Sequence, residues 1–273
     1  MPELPEVENV RATLAELVVG KEMDQVTVGV PKMIVGMPAE QFIGNMIGQK
    51  IEDVRRRGKF LLIDTTDGTL LSHLRMEGKY RLHDATDPID KHTHVTFHFT
   101  DNTELRYLDV RKFGTMELVL KHQEGLTKSI QKLGPEPLSA SFEKGVFGEK
   151  LTKSGRAVKT VLLDQSLVAG IGNIYADEIC FQAKVLPERP ANTLKPAEIK
   201  RLYESTKAIM TEAVALGGST IRTYVNSQGK IGGYQDKLQV YGEKGNPCPV
   251  CGTPIVKIKL NGRGTHFCPK CQK

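Results

Sequence analysis

Two short stretches hold residues whose types and spacing can do chemistry. Near the C-terminal end, Cys248-Pro249-Val250-Cys251 and Cys268-Pro269-Lys270-Cys271 form two C-x-x-C pairs separated by 16 residues. Paired thiolates at this separation match a tetrahedral zinc site, and four cysteine ligands leave no open coordination position, so the expectation is one structural Zn²⁺. At the other end stands Met1-Pro2-Glu3-Leu4-Pro5-Glu6-Val7-Glu8. Once Met1 is removed, Pro2 presents a secondary amine with Glu3 beside it, and such an amine attacking a carbonyl-like carbon gives an iminium. Lys59 is a rival amine. An α-amino group near pKa 7.7 to 8.0 is roughly one-tenth neutral at pH 7, far more than a lysine near 10.4.

Elements must position these groups. Pro5 suits the start of a helix, Glu6 and Glu8 suit its first turn, and Val7, Val10, Leu14, Leu17 and Val18 recur at helical spacing up to Gly20. This accounts for Pro5, Glu6 and Glu8 and leaves Pro2 and Glu3 ahead of the helix. From about residue 23 to 120, short alternating runs such as Val95, Phe97 and Phe99, punctuated by Gly58, Asp67-Gly68, Gly78 and Asp101-Asn102, predict an antiparallel sandwich or barrel.

Gly134-Pro135-Glu136-Pro137 breaks the chain. Helical patterns then cover Phe142 to Lys153, Arg156 to Val168, Asn173 to Lys184 and Pro196 to Leu216. The boundaries predicted are 1–133, 134–242 and 243–273. Gly170-Ile171-Gly172-Asn173 reads either as a phosphate-binding turn or as a glycine-rich helix connection with Asn173 as N-cap. The polar stretch from Gly217 to Gly242 is long for a loop, which marks it as functional or mobile. Ile255 to His266 predicts a β-hairpin with Asn261-Gly262-Arg263-Gly264 at its turn. Arg263 there either reaches into a groove or is a solvated charge. Cys180 sits in an apolar helical context and reads as core.

With 38 Lys and Arg against 32 Asp and Glu, the net charge of +6 inclines toward a polyanionic partner. No apolar run reaches the roughly 18 residues of a membrane span, and the first residues are acidic where a signal peptide is basic, so a cytoplasmic location is expected. Basic residues fall at turns and strand ends: Arg55-Arg56-Arg57-Gly58-Lys59, Lys91-His92-Thr93-His94 and Asp109-Val110-Arg111-Lys112-Phe113-Gly114. Contacts from such scattered residues hold phosphates without reading bases.

Together these stretches resemble the bacterial formamidopyrimidine-DNA glycosylases. The resemblance rests on the Pro-Glu-Leu-Pro-Glu-Val-Glu start, Arg57-Gly58-Lys59, His73-Leu74-Arg75-Met76-Glu77-Gly78, Asp109 to Gly114, Gly170 to Ala176 and the terminal cysteine pairs. It implies an α+β architecture: an N-terminal β-sandwich with a long helix, a helix-two-turns-helix domain and a zinc-finger hairpin, with DNA between the domains. It further implies a monomer, cytoplasmic and associated with the nucleoid through DNA. The implied activity is base-excision repair of 8-oxoguanine and formamidopyrimidines through a Pro2 Schiff base, followed by β,δ-elimination at the abasic site. Glu3 then exchanges a proton with the sugar, Lys59 assists β-elimination and Arg263 the δ step. Met76, Arg111 and Phe113 fill the space left by the flipped base, His92, Lys153 and Asn173 contact DNA, and Lys159 with the 217–242 loop belongs to the damage pocket. Two other readings compete: an endonuclease VIII-like enzyme for oxidised pyrimidines, and a non-catalytic binding protein built on the zinc hairpin.

Overall fold

The computed structural model describes residues 1–219 and 232–273, which divide into two units: residues 1–131 with Ser219 and Gly232, and residues 132–218 with 233–273. In the first unit the apolar stripe becomes α1 (Leu4–Val18), with Glu3 as N-cap and Leu4 and Pro5 as its first two residues. Pro2 and Glu3 thus precede the helical residues, as expected, and Glu3 caps them. A proline in the first turn costs nothing because its missing N–H has no helical acceptor there.

Strands β1 (Met23–Val28) and β2 (Ile34–Val35) follow, then a short helix α2 (Ala39–Met46). The seven remaining strands are β3 (Ile51–Arg57), β4 (Phe60–Thr65), β5 (Gly68–His73), β6 (Lys79–Asp84), β7 (Thr93–Phe99), β8 (Thr103–Leu108) and β9 (Thr115–Leu120). They form a four-stranded sheet in the order β1-β7-β8-β6 and a five-stranded sheet in the order β2-β9-β5-β4-β3. Pairing is antiparallel except for the two-residue β2–β9 contact. Val7, Val10 and Leu14 of α1 share one core with Leu61, Ile63 and Leu70 of one sheet and Val95, Phe97 and Leu105 of the other. One face of the helix therefore packs into the sandwich core, and that packing fixes the direction in which Pro2 leaves it.

The unit ends with a short turn of helix, α3 (Lys128–Gln131). The second unit holds α4 (Lys144–Thr152), α5 (Val158–Leu162), α6 (Asn173–Gln182) and α7 (Pro196–Ala215), then the hairpin of β10 (Val256–Leu260) and β11 (Arg263–Phe267). The expected helix from 156 to 168 is cut to five residues. Asp164 accepts the Ser166 N–H and hydroxyl, and Gln165 accepts the Gly170 N–H while donating to Leu163 and Ile171. Such side-chain bonds compete with the helical ladder and make the two turns between α5 and α6. No described helix is long and apolar enough to cross a membrane.

Candidate catalytic and nucleic-acid site

Pro2 and Glu3 are buried at the start of α1, with Glu3 2% exposed, while Met1 is exposed and acylates the Pro2 nitrogen. The Glu6 carboxylate fixes this terminus: Oε2 accepts the Glu3 N–H (2.8 Å), and Oε1 accepts the Ser219 N–H (2.7 Å) and hydroxyl (3.2 Å). Glu6 is therefore more than a favourable first-turn charge. Its neighbour Glu8 pairs with Arg56 (2.8 Å), and Arg56 also donates to the Gly58 carbonyl (3.1 Å). Gly58, at φ +58°, turns β3 into β4 and puts Lys59 next in line. The chain Glu8, Arg56, Gly58 thus holds the Lys59 turn against the beginning of α1. Lys59 is 5% exposed. Beyond it, Phe60 packs edge-on against His73, whose Nδ1 accepts the Arg75 N–H (3.0 Å). Burial, with the charges of Arg75 and Lys59, pushes the His73 imidazole down to about 3, so it is neutral here.

Two exposed loops follow β5 and β8. One carries Met76, 41% exposed, and the other Arg111 and Phe113, whose side chains stack at 4.8 Å. An exposed methionine and phenylalanine are costly to leave in water and suit insertion into a base stack. Tyr107 joins the loops: a Cβ added at Gly78 would meet its hydroxyl at 2.2 Å, and one at Gly114 at 1.7 Å. Only glycine allows both loops to close on that ring. His92 is half-buried, and its carbonyl accepts the Asp109 N–H (3.0 Å).

In the second unit, Asn261 and Gly262 both have positive φ and make the two-residue hairpin turn, so Arg263 is the exposed first residue of β11, paired with Leu260. The four Sγ atoms of Cys248, Cys251, Cys268 and Cys271 lie within 4.8 Å of one another. Cys251 and Cys268 are 3.5 Å apart and Cys248 and Cys271 3.9 Å. Zn–S bonds of about 2.3 Å at tetrahedral angles bring sulfurs to roughly 3.8 Å, so the cage fits one structural zinc. Cys180 is a buried free thiol apart from this cage, as expected of a core residue.

Lys159 departs from expectation. It is 1% exposed, pairs with Asp177 (2.7 Å), and donates to the Gly264 carbonyl (2.9 Å) and the Thr265 hydroxyl (2.8 Å). A lysine so enclosed is unavailable to a damaged base and instead braces β11 on α6. Asp177 Oδ2 also accepts the His266 N–H (2.9 Å). Asn173 is the first residue of α6 behind Gly172 as N-cap, and its amide donates to Gly264 (3.1 Å). Lys153 is exposed and pairs with Glu149 (2.5 Å).

Three family models match the chain: the formamidopyrimidine-DNA glycosylase N-terminal domain over residues 1–116, the H2TH domain of the same enzymes over 133–225, and the zinc finger found in FPG and IleRS over 245–273. Curated formamidopyrimidine-DNA glycosylases of Listeria innocua and Bacillus cereus are 68% and 55% identical to it, the first covering 100% of both chains and the second 100% of this chain and 99% of its own. The chain belongs to the formamidopyrimidine-DNA glycosylase family. Among solved structures, the Lactococcus lactis Fpg (MutM) bound to DNA containing N7-benzyl-Fapy-dG superposes with a TM-score of 0.94 at 45% identity over 100% of both chains. A second complex of that enzyme, with abasic-site DNA, gives 0.93 at 45% over 99% of each.

Within this glycosylase architecture, the first unit gathers Pro2, Glu3, Lys59, Met76, His92, Arg111 and Phe113, and the second holds Lys153, Lys159, Asn173, Arg263 and the cysteines. Of the 217–242 stretch, residues 220–231 lie outside the described residues. Its later part is not a free loop, because the Glu178 carboxylate accepts the N–H groups of Gln239, Val240 and Tyr241 at 2.8 to 3.0 Å. Sequence reasoning missed Glu6, Asp109, Tyr107, Asp177 and Glu178. Glu6, Asp109 and Glu178 act mainly on main-chain groups, Tyr107 acts by packing, and Asp177 acts on Lys159 and His266 far along the chain, none of which leaves a spacing pattern to read.

Proposed function

We propose that this base-excision repair glycosylase removes oxidised purines, 8-oxoguanine and formamidopyrimidines, from duplex DNA and then cleaves the strand at the abasic site, with Pro2 as nucleophile. The observation that carries this reading is the anchoring of the Pro2-Glu3 terminus by buried Glu6, beside the Lys59 turn. Removal of Met1 converts the Pro2 amide to an amine. The amine attacks the sugar C1′, the C1′–N bond breaks and the base leaves with a proton. Glu3 protonates the ring oxygen as the sugar opens, leaving an iminium between Pro2 and C1′. The iminium acidifies the C2′ proton. Its loss expels the 3′ phosphate, with Lys59 assisting, and a second elimination, served by Arg263, expels the 5′ phosphate. Water then hydrolyses the iminium and frees Pro2. Met76, Arg111 and Phe113 occupy the gap in the duplex, while His92, Lys153 and Asn173 hold its backbone. The zinc stays outside the reaction and stabilises the hairpin. The protein acts as a cytoplasmic monomer at the nucleoid, its chain read as three functional segments, 1–133, 134–242 and 243–273.

The test incubates the Met1-processed protein with an abasic-site duplex, reduces with borohydride and maps the cross-linked peptide. The expected adduct lies on Pro2, and Pro2→Gly is expected to lower lyase turnover by at least about 100-fold. An adduct on Lys59 overturns the assignment, and no adduct supports a binding protein. A lesion panel in which oxidised pyrimidines are cleaved in preference to 8-oxoguanine transfers the protein to the endonuclease VIII-like class.

A further inference from the structure

The loop that bears Arg111 and Phe113 is built around a single carboxylate. Asp109 is 1% exposed, although Val110, Arg111, Lys112 and Phe113 around it are all exposed. Its Oδ1 accepts the Arg111 N–H (3.1 Å), and its Oδ2 accepts those of Phe113 (2.9 Å) and Gly114 (2.8 Å). Its own carbonyl accepts the Lys112 N–H (3.2 Å) and the His94 Nε2–H (2.9 Å), and its N–H donates to the His92 carbonyl. Lys112 takes a left-handed conformation, φ +56°, to let the chain curl round the carboxylate. Bonds from neutral N–H groups to an ionised acceptor are about twice as strong as neutral pairs. Three of them on one group hold a short exposed loop in one shape.

We propose that Asp109 is the positioning residue for insertion into the duplex: it pre-forms the loop so that Arg111 and Phe113 enter the vacated stack without first being ordered. The inference rests on the insertion role given above to those two side chains. A pre-formed loop avoids the ordering cost that a flexible one meets on binding. Asp109 touches neither base nor sugar in this scheme, so its effect reaches only substrates that have a stack to fill.

The experiment compares wild type, Asp109→Asn and Arg111→Ala/Phe113→Ala on one abasic-site strand, presented as a duplex and as a single strand. An asparagine at 109 keeps the shape, yet in either amide orientation its NH₂ faces at least one main-chain N–H that had an acceptor. Expected for Asp109→Asn is a roughly 10-fold to 100-fold loss of affinity for the duplex, matching one or two lost charge-assisted bonds. Borohydride trapping on the single strand stays at the wild-type rate, and Asp109→Asn weakens duplex binding no further when added to the double variant Arg111→Ala/Phe113→Ala, in which the loop has nothing left to insert. Wild-type affinity for the duplex, or equal losses on duplex and single strand, overturns the proposal. Should the variant fail to fold, amide hydrogen exchange on the DNA-free wild-type protein decides: Phe113 and Gly114 are expected to be protected despite their exposed loop, and rapid exchange at both refutes the role. Absence of trapping by wild type on either substrate strikes the Pro2 reading instead and leaves the exchange result to judge Asp109.

Discussion

At the scale of single residues, His73 shows what burial does to an ionisable ring. It is held neutral, at about 3, because charging it costs desolvation and repulsion from Arg75 and Lys59. In the unfolded chain it titrates near its ordinary 6.5. The unfolded state therefore binds more protons below 6.5, and the stability this group contributes is complete above that pH and drains away as pH falls toward 3. By pH 5 the loss is about 2 kcal/mol. His73→Gln keeps an acceptor for Arg75 and removes the titration, so denaturation midpoints of wild type and variant are expected to converge or cross between pH 7 and 4.5. Parallel curves would show that His73 titrates alike in the folded and unfolded chain, and its burial shifts nothing. Pro2 and Glu3 stood out in the sequence only as an amine and a carboxylate ahead of a helix, whereas the four cysteines were legible there because their spacing carries their chemistry. Asp109 was not, since three main-chain N–H groups leave no trace in a side-chain pattern, and Lys159 was misplaced because its residue type says nothing of Asp177 across the fold.

At the scale of elements, side-chain bonds decide where α5 stops and how β11 sits. Alternation and helical periodicity made the sandwich strands, α1 and α7 readable, but the periodicity between 156 and 168 could not reveal that Asp164 and Gln165 divert main-chain groups into turns. The short α2 went unread because its eight residues give barely two turns of pattern. The brace of Lys159 on Asp177, Gly264 and Thr265 leads to a stability prediction. Lys159→Met leaves a buried carboxylate short of its cation, and is expected to cost about 3 to 5 kcal/mol in chemical denaturation. Adding Asp177→Asn, which removes that charge, should restore part of the loss. A single variant within 0.5 kcal/mol of wild type would mean that the pair contributes little to the docking of β11.

At the scale of the whole molecule, the zinc cage replaces a core that the hairpin is too small to build. Cys248 and Cys268 cluster with Phe181, Val240 and Ile255, a handful of side chains, and a segment of this size needs a metal to stay folded. Chelation is expected to release about one zinc per chain and, like Cys268→Ser, to abolish duplex binding while the sandwich unit keeps its thermal transition. Undiminished duplex affinity after metal loss would remove the hairpin from DNA binding. The motifs at both ends announced this architecture, whereas the join between the two exposed loops could not be read, because Gly78, Tyr107 and Gly114 meet only in three dimensions. That join has a kinetic meaning. With both loops closed on one tyrosine, the insertion proposed for Met76 and Phe113 is expected to proceed as a single step with one rate constant. The chain has no tryptophan, and Phe113→Trp would place its single tryptophan, excited selectively over the tyrosines, at the advancing tip, where stopped-flow mixing with lesion DNA should trace a single exponential.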